Sequence, residues 1–315
     1  MAQEYILREK VDCPKVSIIA INWNGLSDTI ECINSVLCND YPNYNIIVLD
    51  NGSDDSEANV LSEKFGSSIE VISLDKNIGS PAGMNLLINY VNKKYLSDYI
   101  LYLDNDTIVS KSFLSNMVDV VKKDPKIALV GGKFYYYDDP TRIQFTWRDI
   151  DLITNEFIAV LVMIRDTFLK IKVTDKGIHD IERDADTVGF WCVLMNRDII
   201  NKVGLFDNRF FFGFGEVDLC IRLKKAKYRV VYCPKAMVWH KYRFIKKNPE
   251  MLAYYGRRGR FWLIRKHGNI LEKILFFLYF FLVHFWLVTV YYLFILRKPK
   301  IFISFCKGIY DGIFE

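Results

Sequence analysis

The chain is poor in histidine, with four in 315 residues, and its seven cysteines form no CxxC pair. Seven is an odd number, and positions 13, 32, 38, 192, 220, 233 and 306 follow no zinc-ligand spacing. A disulfide framework or structural zinc site is therefore not expected, and reduced thiols are. An N-terminal apolar core is missing too: MAQEYILREKVDCPK is charged, so no signal peptide is read and the bulk of the chain is expected in the cytosol. The loop after the first apolar run is Asn22-Trp23-Asn24-Gly25 rather than GxGxxG, and neither GxxxxGK[ST] nor GxSxG occurs. These absences count against dinucleotide-dependent dehydrogenases, P-loop kinases and hydrolases with a nucleophile elbow. No internal repeat or low-complexity linker divides the chain.

What is present begins with 51% hydrophobic and 15% aromatic residues, which exclude disorder. The length suffices for one large domain or two small ones. The net charge of +5 is unevenly spread: residues 222–269 carry fifteen Lys/Arg against one acid, Glu250, leaving 27 basic and 36 acidic residues elsewhere. Such a stretch suits an anionic membrane surface or a phosphorylated substrate. Nucleic acid is not expected, because no nucleic-acid-binding motif accompanies the charge. Residues 274–296 then run without a charge, and a helix of that length spans roughly 30 Å or more, enough for a bilayer core. A buried helix or an oligomer interface would read the same way. Arg297, Lys298 and Lys300 follow, then a second apolar run at 301–305. Cations favour the cytoplasmic side, so a re-entrant or interfacial hairpin that returns the tail fits better than a single crossing. The expectation is attachment to the cytoplasmic face of a membrane through residues 270–310.

Between residues 16 and 131, short apolar runs alternate with amphipathic segments. The periodicity predicts strands at 16–22, 45–50, 69–74, 99–103 and 127–130. Helices are predicted at 28–38 with Ser27 as cap, at 56–65, and from Pro81 to about 94. This is an α/β pattern: an open, mostly parallel sheet flanked by helices. Ligands of such sheets bind beyond the carboxyl ends of the strands, which gathers 22–24, 50–55 and 104–106 around one crevice. Residues 133–185 show no legible element. Helices at 197–203 and 219–227 and a strand at 228–233 closed by Pro234 complete a single domain, 1–245. A basic juxtamembrane segment and apolar helices, 246–315, follow it.

Asp104-Asn105-Asp106 closes the strand at 99–103, and two carboxylates at i and i+2 can converge on one hard cation such as Mn²⁺ or Mg²⁺. Acidic turn formers after strands give the same pattern. Asp50 with Ser53 ends another strand and can accept hydrogen bonds from a base or ribose, or simply form an Asn-Gly-Ser turn. Asn77-Ile78-Gly79-Ser80 opens a helix, and helix N-termini attract phosphates as well as ordinary caps.

Taken in order, SIIAINWNG (17–25), VLDNGSDD (48–55), NIGSPAGMN (77–85), YLDNDT (102–107), GFWCVLMNRDIINKVGLFD (189–207) and GEVDLCIRLKKAKYRVVYCPKAMVWH (215–240) resemble the family 2 glycosyltransferases of the GT-A fold, in particular their rhamnosyltransferase-like branch. The resemblance covers residues 16 to about 240 and implies metal-assisted, inverting transfer from a UDP-, dTDP- or GDP-sugar. On this likeness Asn22, Asn24, Asp50, Ser53, Asn77, Asn85 and Asp104 bind the nucleotide sugar, and Asp106 holds the metal. His240 joins as a further ligand or touches the diphosphate. The base falls in Gly215-Glu216-Val217-Asp218, where the family often has two adjacent acids and this chain has glycine for the first. Glu216 is the expected base; Asp218 is the alternative, or else starts the helix. Gly189-Phe190-Trp191 matches the acceptor-side block, where an aromatic stacks on a sugar face or packs the core. The run 210–214 would line a lipid-facing rim or form a buried cluster. The implied acceptor is a hydroxyl of a lipid-linked glycan in cell-surface polysaccharide or glycoconjugate synthesis. Alternatives are a polyprenyl-phosphate sugar synthase and a silent nucleotide-binding membrane scaffold.

Overall fold

The structure, a computed structural model, describes residues 13–54, 56–150, 152, 174–242 and 248–315. Asp55, the charged N-terminal stretch before Cys13 and residues 243–247 of the basic run lie outside it.

Strands β1 (Val16–Asn22), β2 (Tyr44–Asp50), β3 (Glu70–Ser73) and β4 (Tyr99–Asp104) pair in parallel in the order 3-2-1-4. Their cores are apolar on both faces because both faces are covered. Ile18, Val48 and Leu101 pack with Ile33 of α1 (Leu26–Leu37) and Met117 of α4 (Phe113–Val121). Their neighbours Ile19, Ile47 and Ile100 face the other way, onto Leu87 and Ile88 of α3 (Ser80–Lys94). Helix α2 (Glu57–Phe65) links β2 to β3.

Beyond β4 the sheet becomes mixed. β5 (Thr107–Val109), β6 (Ile127–Tyr136), β7 (Asp139–Phe145), β9 (Arg183–Ala185), β11 (Cys192–Asn196) and β12 (Arg229–His240) extend it, while β8 (Trp147–Arg148) and β10 (Thr187–Val188) form a separate pair. β11 lies antiparallel between β4 and β6, and β12 runs parallel to β6 and antiparallel to β5. Helix α5 (Arg197–Val203) follows β11, and α6 (Gly215–Lys225) precedes β12.

Several boundaries differ from the sequence reading, and three of them lie near the site. α1 begins at Leu26, so Ser27 lies inside it; the Gly25 N–H at its entry donates to the Glu57 carboxylate at 3.2 Å. α6 begins at Gly215, after Gly213 and Phe214 turn the chain with positive φ. β12 does not stop at Pro234 but bulges between Tyr232 and Met237 and continues to His240; a bulge is where a strand tolerates a residue without an N–H.

The C-terminal part is three helices: α7 (Pro249–His267), a continuous apolar helix α8 (Ile270–Ile295) with two π-helical stretches, and α9 (Pro299–Phe314). Asn269 and Glu272 form a reciprocal capping box at the start of α8. Phe261, Phe276, Phe280 and Phe305 join the three in one aromatic core. α9 folds back along α8 and ends on α7, where Tyr254 donates to Asp311 (2.5 Å) and Arg265 to the Gly312 carbonyl (2.9 Å). α8 is long and apolar enough to cross a membrane, and its outward face is bare, with Leu282 71% and Phe294 70% exposed. α7 also grips the sheet domain: Phe210 packs on Trp262 and Phe211 stacks on Tyr255 at 5.0 Å. The 210–214 run is thus a clamp between the two parts rather than a lipid-facing rim.

Candidate active site

The parallel register sets Asn22 beside Asp50 and Ile21 beside Asp104, so the predicted carboxyl-end residues meet. Asn22 is fully buried and acts as a hub. Its Nδ2 donates to Asp50 (2.9 Å) and Glu57 (2.7 Å), and its Oδ1 accepts from Thr29 (2.7 Å) and Asn105 (3.4 Å). Ser53 donates to Asp50. Asn24, at φ 50, clasps the next loop by donating to the Asp54 carboxylate and accepting its N–H, both at 2.9 Å. Asn77 accepts from Asn51 (3.0 Å) and from the Gly79 N–H (2.8 Å).

A cavity of about 260 Å³ opens above these loops; Asn24, Asn77 and Asp104 line it, whereas Asn22, Asp50 and Ser53 bond to one another and do not. Asn85 belongs elsewhere. Its amide clasps the Phe206 backbone, accepting from the N–H (2.9 Å) and donating to the carbonyl (2.8 Å), so it fixes the loop after α5 rather than the donor loop. At the start of α3 the Ser80 N–H donates to the Phe211 carbonyl at 3.0 Å, so part of that helix terminus is already used.

The pairing of β12 with β5 sets His240 opposite Thr107, next to Asp106. One ligand atom from each of Asp104, Asp106 and His240 lies within 4.8 Å of the others. His240 Nε2 is 3.1 Å from Asp106 Oδ1, and its Nδ1 is 3.1 Å from the Gln144 amide oxygen, which leaves the Nε2 lone pair for a cation. Trp191 stacks on the imidazole at 4.7 Å, so one face of that ring orients His240 instead of meeting a sugar. Tyr102 donates to Asp104 at 2.6 Å. Burial, then the Asp106 charge, pushes the Asp104 carboxyl up to about 7. A half-buried and a buried carboxylate beside an oriented imidazole are a donor set that fits Mn²⁺ or Mg²⁺. Asp104, which the family likeness assigned to the nucleotide sugar, stands within this set, as two carboxylates at i and i+2 allow.

Glu216 sits in the first turn of α6 and lines the same cavity. Burial raises its carboxyl above the ordinary glutamate range, against hydrogen bonds from backbone N–H groups. Asp218, the alternative base, is fully buried and lines no part of either cavity. It accepts from Arg222 (2.9 Å), Lys266 (2.6 Å) and His267 (2.7 Å). Burial works against its ionisation, but His267, Lys266 and Arg222 outweigh this and hold the carboxyl at about 2. Asp218 therefore ties α6 to the last turn of α7. Gly189 and Phe190 are buried; a side chain on Gly189 would run into the Phe134 ring, and Phe190 forms wall with Phe206 packed edge-on.

Several residues here were not read from the sequence. Glu57 carries no motif of its own, Tyr102 opens the YLDNDT block without having been given a role, and Gln144 lies where no periodicity was visible. Arg148, Arg257 and Arg260 line a second cavity that also touches Glu216. The last two were hidden in a basic run, several of whose described members pair with acids, as Lys224 does with Asp186, Arg229 with Asp184, and Lys241 with Asp28 and Glu31.

A parallel αβ half-sheet, an antiparallel extension and an Asp-x-Asp at the junction define a GT-A fold. The likeness to solved structures is of the same kind. The mannosyltransferase PcManGT from Pyrobaculum calidifontis, in complex with GDP-Man and Mn²⁺, superposes with a TM-score of 0.56 at 13% identity, covering 92% of this chain and 74% of that one. S. aureus TarS 1–349 gives 0.53 at 13% identity, covering 95% and 81%. The chain belongs to the glycosyltransferase-like family 2, whose model matches residues 14–262. The match runs through most of α7, past the boundary expected at 245. A poly-β-1,6-N-acetyl-D-glucosamine synthase of Staphylococcus epidermidis is 23% identical over 226 residues, 71% of this chain and 49% of that protein. An uncharacterized glycosyltransferase of Haemophilus influenzae is 30% identical over 122 residues, 38% of this chain and 36% of that one. The chain spans about half or less of the length of the curated relatives it matches.

Proposed function

We propose that the chain is an inverting glycosyltransferase that moves a sugar from a nucleotide-sugar donor to a hydroxyl of a lipid-linked glycan, at the cytoplasmic face of a membrane. The observation that carries this reading is that Asp104, Asp106, His240 and Glu216 line one cavity at the carboxyl ends of parallel strands. Donor and acceptor then have opposite sides of that cavity. The loops holding Asn24 and Asn77 flank the nucleotide. Asp104, Asp106 and His240 would hold a divalent cation, which offsets charge on the departing diphosphate. Glu216 takes the proton of the acceptor hydroxyl as its oxygen attacks the anomeric carbon. The bond from that carbon to the diphosphate breaks, and the nucleoside diphosphate leaves with the electron pair. Attack opposite the leaving group inverts the anomeric configuration. A glutamate whose pKa is raised by burial keeps more affinity for that proton than an exposed one. GDP-Man with Mn²⁺ in PcManGT and UDP with Mn²⁺ in GalNAc-T7 support a nucleotide sugar and a divalent ion. The bare apolar face of α8 supports the membrane.

The test is a panel of UDP-, GDP- and dTDP-sugars with Mn²⁺, run on the purified chain in detergent. One donor raises the melting temperature, and product NMR shows an inverted anomeric centre. Retention of configuration, or no stabilisation by any donor, would overturn the proposal.

A further inference from the structure

We propose that α8 lies flat on an anionic bilayer, with its bare side in one leaflet, and does not cross the membrane. The proposal rests on the membrane part of the reading above and names the partner that covers the exposed face, and in what orientation. Length and composition point the other way: at 1.5 Å per residue α8 extends roughly 39 Å, longer than a hydrocarbon core of about 30 Å. Its packing decides against a crossing.

α7 runs beside the first half of α8 in the opposite direction. Phe261 meets Phe276 and Phe280 edge-on at 5.3 and 4.9 Å, and Arg257, one turn earlier on α7, reaches Phe280 at 5.0 Å and His284 at 2.8 Å. The other side of α7 is fixed to the sheet domain, by Tyr255 on Phe211, Trp262 on Phe210, and Lys266 and His267 on Asp218. α8 up to His284 therefore lies only about one helix-width, ~10 Å, from that domain. A crossing would carry α7, with Arg257, Arg258 and Arg260, into hydrocarbon, where each charged side chain is costly. The rest of α8, residues 285–295, extends roughly 16 Å, about half of a hydrocarbon core. Its one remaining route inward is a re-entrant hairpin, and the turn opposes it. Arg297 reverses the chain at φ 55, the Lys298 N–H donates to the Tyr292 carbonyl at 2.8 Å, and Pro299 starts α9. Arg297, Lys298 and Lys300 are exposed there, so the hairpin tip would set three cations near mid-bilayer.

Laid flat, the same features agree. Phe276, Phe280, His284 and Val288, four apart, are the buried side of α8, in the core it shares with α7 and α9. The opposite side bares Leu275, Leu278, Leu282, Trp286, Val290 and Phe294 at spacings of three or four, one stripe along the helix. α8 has no polar side of its own. α7 and α9 supply it, so the bundle is amphipathic although the sequence of α8 alone reads as a membrane span. An apolar stripe of that length is more than a soluble surface ordinarily shows. Arg297, Lys298 and Lys300 close one end of it, at the level of lipid phosphates, and their charge selects an anionic surface.

The experiment adds the full chain, diluted from detergent, to preformed vesicles of phosphatidylcholine with or without phosphatidylglycerol. The vesicle lipids are brominated either near the glycerol or near the methyl end of the acyl chains. Subtracting the fluorescence of Trp286→Phe isolates Trp286, which is 60% exposed within the stripe. A flat α8 gives stronger quenching of Trp286 by the shallow bromines. Stronger quenching by the deep ones would overturn the orientation, since residue 286 of a spanning helix sits near mid-bilayer. Phosphatidylglycerol should tighten binding by about tenfold or more, and Arg297→Gln, Lys298→Gln and Lys300→Gln together should remove that gain. Equal binding to both vesicles would overturn the anionic surface. Leu282→Gln with Phe294→Gln should weaken binding to either vesicle by about tenfold, with melting curves to verify folding. Unchanged binding by that folded variant would overturn the stripe. Protection of Trp286 from both bromines, with the chain cross-linking as a dimer on the vesicles, would give the stripe to a second copy and overturn the lipid assignment. Binding to neither vesicle would undo the membrane reading along with the proposal. The glycosyltransferase reading is decided apart from all of these, by donor-induced melting of the same protein in detergent.

Discussion

The carboxyl ends of β1 to β4 are held by polar side chains a few dozen residues apart, such as Asn22 with Asp50 and Asn51 with Asn77. The opposite wall is held by pairs that span the helical tail, such as Asp218 with Lys266 and His267. One side is built by consecutive strand–helix units; the other waits for α7 to arrive. The contrast is sharpest on α6 itself, where Glu216 and Asp218 stand two residues apart. Glu216 stands at the wall of the cavity, half-buried, with its pKa raised by desolvation, while Asp218 is fully buried but compensated by three cations. Burial alone does not decide what a carboxylate does; its partners do.

Substitutions can break this division. The largest effect is expected from Asp106→Ala, which should lower transfer at least about ten-thousandfold by removing a cation ligand, with the fold retained by circular dichroism. Glu216→Gln should lower turnover by about a thousandfold while leaving the donor-induced melting shift intact; full turnover by this variant would remove Glu216 as the base. In the wild type, the rate should rise with pH through an apparent pKa above the ordinary glutamate value, because the base works deprotonated. Asp218→Asn should act the other way, costing about 3 kcal/mol in denaturant unfolding, since it strands buried cations. The native Asp218 pKa of about 2 lies below its unfolded value, so its contribution is complete above about pH 4 and fades as pH falls towards 2, a loss of about 2 kcal/mol. An acid limb of that shape that persists in Asp218→Asn would assign it elsewhere. The smallest effect is expected from Gly189→Ala, about 1–2 kcal/mol by thermal unfolding as the methyl presses on Phe134.

The parallel half of the fold was legible nearly to the residue because β1, β2 and β4 are largely apolar runs buried on both faces. Asp106 and His240 were legible as partners only through motif order; spacing gives no reason for residue 240 to meet residue 106, and the β12–β5 register does. Asn85 was misplaced because an amide serves a backbone as well as it serves a ligand. The basic stretch 222–269 read as one surface patch, but charge along a chain does not reveal which cations already face acids across the fold. Gln144 and Arg148 lie on short strands whose partners are remote, so no local pattern announces them. In the mixed half only the starts of β6 and β12 were legible, and the other strands were not, for the same reason.

The return of α9 onto α7 bears on how this chain can be handled. Gly308 and Gly312 let the two helices touch, Gly308 against the Tyr254 backbone and Gly312 against Arg258 and Phe261. Trimming the tail to gain solubility would leave the strands untouched yet unsupport the helix that carries Arg257, Arg260 and Lys266. A shortened protein that still melts cooperatively and still recognises nucleotide would then be a poor guide to the intact one, with its defect confined to the far wall of the pocket.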